Sequence, residues 1–267
     1  MTRVHRPSPR RSLAAIVGLA VAIAGVSAVA LWHPWSAAPV AGPAAAGGTA
    51  AAVAVEPLDL PDSPRVLVFG DSWTYGSAAT TPELGYAYLL ADLLGGQTIV
   101  DGVRGSGYLV PGLDGGTFGE RIADLDPTAD PDLVIIEGSI NDRKVAATGY
   151  LDAVPAAWDA LEAIYPEATI VVLGPAPQVL PVESATARID EDLAGLAAKR
   201  GWAYLSPLAE DWITPANYGW IIDTGIGRNH PTTAGHAYLA ERVAADLDAL
   251  RASPASDGAI ASDGTSN

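Results

Sequence analysis

The sequence predicts an α/β protein, a three-layer α/β/α sandwich built on a five-stranded parallel sheet, and three observations predict it. Short apolar, β-branched runs at Arg65–Phe69 (RVLVF), Leu133–Glu137 (LVIIE) and Thr169–Leu173 (TIVVL) have the continuous hydrophobicity of strands buried on both faces. Between them lie stretches whose apolar residues recur at helical spacing. Strand and helix patterns alternate, the order that a parallel sheet covered on both sides requires.

Arg65–Phe69 stops at Gly70-Asp71-Ser72, so a buried strand delivers a serine to its carboxyl end, where the ligands of open parallel sheets bind. Ser72 is expected at a helix start. Thr81 caps and Pro82 opens a helix carrying Tyr86, Leu89, Leu90 and Leu93, and Gly95-Gly96 end it. Gln97–Val100 is a short strand leading into Asp101–Gly107. Thr117–Leu125 reads as a short helix, and Val154–Ile164 as a longer one with Pro155 in its first turn. Ile189, Leu193 and Leu196 mark a further helix, Trp202–Leu205 a last strand, and Thr232–Arg251 the closing helix.

The two ends read differently. Residues 1–32 begin with a basic stretch and continue with twenty uncharged, largely apolar residues, Leu13–Trp32, which reads as a signal peptide or an N-terminal membrane anchor. Ala28-Val29-Ala30 is a cleavage-like site, and Arg10-Arg11 a loose twin-arginine match. Residues 33–62 are rich in Ala, Pro and Gly and read as a linker, residues 63–252 as the catalytic-size domain, and residues 253–267 as a disordered tail. The expected address is secreted, or anchored to the outer face of the cytoplasmic membrane.

Composition narrows the function. With 267 residues and a hydrophobic fraction of 49%, one substantial domain can bury a core. A net charge of −16 repels phosphate backbones, which argues against nucleic acid as a partner and confines membrane contact to the N-terminal segment. Zero cysteines exclude disulfides, thiolate metal sites and a cysteine nucleophile. There is no H-E-x-x-H for a metal hydrolase and no G-x-S-x-G nucleophile elbow, so no metal or cofactor is expected.

Four blocks stand in order: Gly70-Asp71-Ser72, then DGVRGSG containing Gly105, then GSIND containing Asn141, then HPTTAGH beginning at His230. A serine at a strand end is otherwise a helix cap, glycines in a loop a tight turn, and Asn-Asp a turn. Taken together the four blocks resemble the SGNH, or GDSL, hydrolase family over roughly Arg65 to Arg251. The resemblance implies the flavodoxin-like strand order 2-1-3-4-5. It also implies Ser72 as nucleophile and His230 as base, with the Ser72 N–H, the Gly105 N–H and the Asn141 amide as oxyanion donors.

Histidine arithmetic agrees on the base. His5 and His33 belong to the N-terminal segment and its flank, and His236 shares a helical stripe with Leu239, Ala240 and Val243, which fits a packed role. Two departures from the family stand out. The third block is G-x-x-N-D where G-x-N-D is commoner, and position 227, where the family has an aspartate three residues before the histidine, is glycine. Asp223 is the nearest acid upstream. Either it loops back to His230, or a backbone carbonyl orients the ring and leaves a Ser-His dyad, and Asp223 also reads as a plain surface or turn residue.

The expected activity is therefore that of a serine esterase acting on short-chain, carbohydrate O-acetyl or lipid esters, a monomer with a small-molecule or glycan substrate. Acyl transfer by the same residues, and a binding module that has lost turnover, are the rival readings.

Overall fold

The computed structural model describes residues 57–252, so the expected export segment, most of the linker and the tail lie outside the described residues. Five parallel strands form the sheet: β1 (Arg65–Gly70), β2 (Gln97–Gly102), β3 (Leu133–Glu137), β4 (Thr169–Leu173) and β5 (Ala203–Leu205). Their order across the sheet is β2-β1-β3-β4-β5, as expected. β3 is buried at every residue and β1 at all but its first, which is why both read as unbroken apolar runs.

Alternate strand residues feed two cores. Val66, Val68, Leu133 and Ile135 face the side covered by Tyr86–Leu93 and the closing helix Thr233–Ala252, whose Leu239, Val243 and Leu247 are buried there. Leu67, Phe69, Val134 and Ile136 face the side covered by Phe118–Ala123, Tyr150–Ile164 and Ser184–Arg200. Each β-to-β connection crosses over through a helix, so the loops leaving the strands' carboxyl ends gather at one edge.

Several elements differ from expectation. No regular helix follows Ser72: residues 72–78 form successive turns, with Tyr75 N–H bonded to the Asp71 carbonyl and Ser77 N–H to that of Ser72. The expected Thr81-capped helix divides at the extended Gly85 into a 3₁₀ turn, Pro82–Leu84, and the helix Tyr86–Leu93, and the Thr81 side chain makes no cap bond. The third crossover helix starts four residues early, at Tyr150, because that ring is fully buried and its hydroxyl meets Ser139 Oγ at 3.1 Å. Pro155 thus lies inside the helix, beyond its first turn. The linker boundary also moves toward the N-terminus: Leu58 is buried with its N–H on the Leu250 carbonyl, and Arg251 donates to the carbonyls of Leu60 and Pro61. Among the described residues, no helix is long and apolar enough to cross a membrane.

After β5 the chain forms a short helix, Tyr218–Ile221, and then an antiparallel pair, β6 (Ile222–Asp223) against β7 (His230–Pro231). Asp223 and His230 face each other across this ribbon, and the loop between them carries left-handed residues at Arg228 and Asn229. Thr232 N–H bonds the Ile221 carbonyl, so the ribbon hands directly into the closing helix.

Candidate active site

Ser72 Oγ lies 2.8 Å from His230 Nε2, although 157 residues separate the two in the chain. The His230 Nδ1 atom is 2.7 Å from the Gly227 carbonyl oxygen. A carbonyl can only accept, so Nδ1 carries the ring proton of the neutral imidazole and Nε2 presents its lone pair to the serine hydroxyl. That is the tautomer a base requires.

The Asp223 carboxylate does not touch the ring. Its two oxygens accept from Gly225 N–H at 2.8 Å and Gly227 N–H at 3.1 Å, closing the loop that presents the Gly227 carbonyl to His230. Asp223 as the third member of a triad is therefore corrected: its carboxylate shapes the turn, and a backbone carbonyl faces Nδ1 instead. Space explains why position 227 is glycine: a Cβ there would sit 2.6 Å from the Asp223 Cβ and 2.8 Å from the Ala78 Cβ.

The oxyanion candidates divide. Gly105 has φ +81°, a conformation that side chains resist. Neither the Ser72 nor the Gly105 N–H has a hydrogen-bond partner among the described residues. Both residues line the same open cleft of about 820 Å³ as His230 and Asn141. Asn141 differs from expectation. Its Nδ2 donates to Asp71 Oδ2 at 2.8 Å and to the Ser106 carbonyl at 3.1 Å, while its Oδ1 accepts from Lys144 Nζ at 2.8 Å. Because an ammonium can only donate, the Lys144 contact fixes which amide atom is oxygen. Both Asn141 amide protons are thus engaged, and the side chain ties the Asp71 and Ser106 loops together.

Three further residues hold these loops, and sequence reasoning did not single them out. Arg121, only 7% exposed, sends Nη1 to the Gly70 carbonyl and to Ser106 Oγ, and Nη2 to the carbonyl and carboxylate of Asp101. One guanidinium therefore fixes the residues just before Ser72 and just after Gly105. Asp142, fully buried, accepts from the N–H groups of Tyr108, Leu109 and Val110 and from Ser139 Oγ, joining the second loop to the third. Buried charged residues with this many bonds leave no periodic trace, although their polarity beside apolar neighbours is a weak signal.

The third is Asp71, buried with Glu137 directly behind it: Glu137 Oε2 accepts from the Asp71 N–H and from Thr74 Oγ1. Burial, and next the charge of Asp71, push the Glu137 carboxyl well above the ordinary range. Burial also raises Asp71, opposed by the Trp73 N–H and by the positive charges of His230, Lys144 and Arg121. His236 is packed, as expected: Nε2 donates to the Ser77 carbonyl at 3.0 Å and Nδ1 accepts from Tyr86 N–H at 3.3 Å. Among the described residues, no group of three or more His, Cys, Asp or Glu is placed to hold a metal ion.

The arrangement can pass a proton from a hydroxyl to an imidazole beside two unpaired amide donors. Comparison with known proteins points the same way. The model of the GDSL-like Lipase/Acylhydrolase family matches residues 68–238. GDSL lipase Rv0518 of Mycobacterium tuberculosis is 29% identical over 142 residues, which are 52% of this chain and 59% of that protein. The solved aryl esterase of M. smegmatis superposes with a TM-score of 0.54 at 18% identity, covering 70% of this chain and all of that one (100%). A two-domain esterase active on acetylated mannans gives 0.56 at 20% identity, covering 73% of this chain and 51% of that one. At these identities the two structures speak for the fold.

Proposed function

Because the chain belongs to the GDSL-like lipase/acylhydrolase family, we propose that it is a serine esterase that hydrolyses acyl esters through an acyl-enzyme on Ser72. The observation that carries this reading is the 2.8 Å contact between Ser72 Oγ and a His230 Nε2 whose partner nitrogen is committed to a carbonyl. As Oγ attacks the acyl carbon, Nε2 takes its proton, and negative charge develops on the former carbonyl oxygen. The free N–H groups of Ser72 and Gly105 are the donors for that oxygen. His230 then gives the proton to the departing alcohol, and later takes one from the water that releases the acid and restores Ser72.

Without a carboxylate on Nδ1, the imidazolium relies on the Gly227 carbonyl. Asn141 acts by holding the Asp71 and Ser106 loops; to serve as a third oxyanion donor it must share one of its two bonds. The substrates are short acyl esters, with O-acetyl groups on polysaccharide supported by the likeness to an esterase active on acetylated mannans. Leu113 and Ile226, 76% and 99% exposed on the cleft rim, offer apolar contact to the acyl part. The basic-then-apolar N-terminal segment supports an exported address for this activity.

The test is turnover of p-nitrophenyl acetate through octanoate by the full chain, with the free acid quantified. Release of acid that is lost in Ser72→Ala supports the reading; equal release by both proteins overturns it.

A further inference from the structure

We propose that the cleft selects esters bearing a second, anionic group, a carboxylate or a phosphate, near the scissile bond; this rests on the esterase reading of the same site. Four of the chain's fifteen Lys and Arg residues line the cleft, namely Arg104, Arg143, Lys144 and Arg228, against one of its thirty-one acids, Asp223. In a chain of net charge −16, the sign inverts at Ser72. The Asp223 carboxylate is bonded to two backbone N–H groups of its own loop, which leaves it little capacity to neutralise a neighbour.

Two of the four cations are already paired, Arg104 with Asp114 at 3.0 Å and Arg143 with Glu183 at 2.8 Å. Lys144 and Arg228 have no carboxylate within ion-pair distance among the described residues. Lys144 Nζ rests on Asn141 Oδ1 at 2.8 Å, and Asn141 in turn bonds Asp71, so this ammonium stands one side chain from the residue preceding Ser72. Arg228 is exposed two residues before His230, on the ribbon loop, with its guanidinium unbonded among the described residues. The loop after β3 and the ribbon loop thus each contribute to a single cavity one cation that has no ion-pair partner among the described residues.

Like charges around a cleft focus the field toward ligands of opposite sign. A neutral sugar ester gains nothing from that field. An anion on the substrate gains from both cations and orients the ester between them, and it relieves the burial and the Arg143 repulsion that depress the Lys144 ammonium.

The test compares kcat/KM, at low salt, within two matched pairs: p-nitrophenyl butyrate against p-nitrophenyl hemisuccinate, and monobutyrylglycerol against monobutyrylglycerol 3-phosphate. We expect the charged member to be favoured about tenfold in at least one pair. A preference in the first places the anion on the acyl side; one in the second places it, as phosphate, on the alcohol side. The preference should shrink as sodium chloride is added to the wild type, and the charged-to-neutral ratio should approach one in Lys144→Gln/Arg228→Gln. A ratio at or below one in both pairs overturns the inference, as does a preference indifferent to salt. Turnover of the neutral esters with no charge preference sinks this inference alone, whereas no turnover of any of the four esters and no reaction at Ser72 sinks the esterase reading with it.

Discussion

His230 Nδ1 donates to the carbonyl oxygen of Gly227 at 2.7 Å, where a Ser-His-Asp triad places a carboxylate. A neutral carbonyl fixes the tautomer as well as a carboxylate does, but supplies no full charge to the imidazolium. Asp223 stands one step behind, bonded to Gly225 and Gly227.

This geometry separates two substitutions. His230→Ala removes the base and should lower kcat/KM roughly a thousandfold. Asp223→Asn keeps an acceptor for one of the two loop N–H groups, and the expected loss is less than about tenfold. Steady-state kinetics with p-nitrophenyl acetate reads both, and equal losses would mean that Asp223 acts on the ring directly.

Restoring the aspartate common in the family at position 227 should not improve the enzyme. A side chain there collides with the Asp223 and Ala78 Cβ positions, and relieving the collision shifts the loop that carries the Nδ1 acceptor. Gly227→Asp is expected to cost about 1–3 kcal/mol of stability and to lower kcat. Thermal melts and kinetics on the same preparation check this.

Arg121 links the residue before the Ser72 turn to the residue after Gly105, so its loss should register in the chemical step. Arg121→Met strands the Asp101 carboxylate, the Ser106 hydroxyl and two carbonyls, at a cost of about 3 kcal/mol. With both oxyanion donors loosened, kcat should fall more than KM rises. Arg121→Lys keeps the charge without the fork and should fall between. A purely structural role would lower stability while leaving kcat per folded molecule intact.

His236 gives a pH signature. Burial, outweighing the helpful Ser77 carbonyl, lowers its pKa from the ordinary 6.5 to about 4. Between those values the unfolded chain binds the proton and the folded one does not, so stability contributed by neutral His236 is present above pH 6.5 and lost as pH falls toward 4. The contribution is about 3 kcal/mol. Asp246, pushed up to about 6 by burial and Glu210, titrates in the same window with the opposite sign. Denaturant unfolding of the wild type and His236→Gln therefore isolates the histidine as a difference: the variant should lose less stability between pH 6.5 and 4.

The sheet was legible because its strands are buried on both faces; LVIIE and TIVVL match β3 and β4 to the residue. Helix starts were less so. Tyr150 is recruited into its helix by burial and a bond to Ser139, which periodicity does not encode. In the site, the Ser72–His230 pairing follows from block order, whereas the commitment of both Asn141 protons depends on the fold of the extra residue in GSIND. Ile140, buried there, opens a 3₁₀ turn that aims Asn141 at Asp71. The roles of Arg121 and Asp142 come from contacts spanning the loops, and no local pattern announces them.

The most direct test of the central claim is intact-mass and peptide mapping of the full chain after exposure to an alkyl fluorophosphonate. The account predicts one stoichiometric adduct on the Ser72 peptide, absent in Ser72→Ala and formed far more slowly in His230→Ala. An unmodified Ser72, or modification at the same rate without His230, would contradict it.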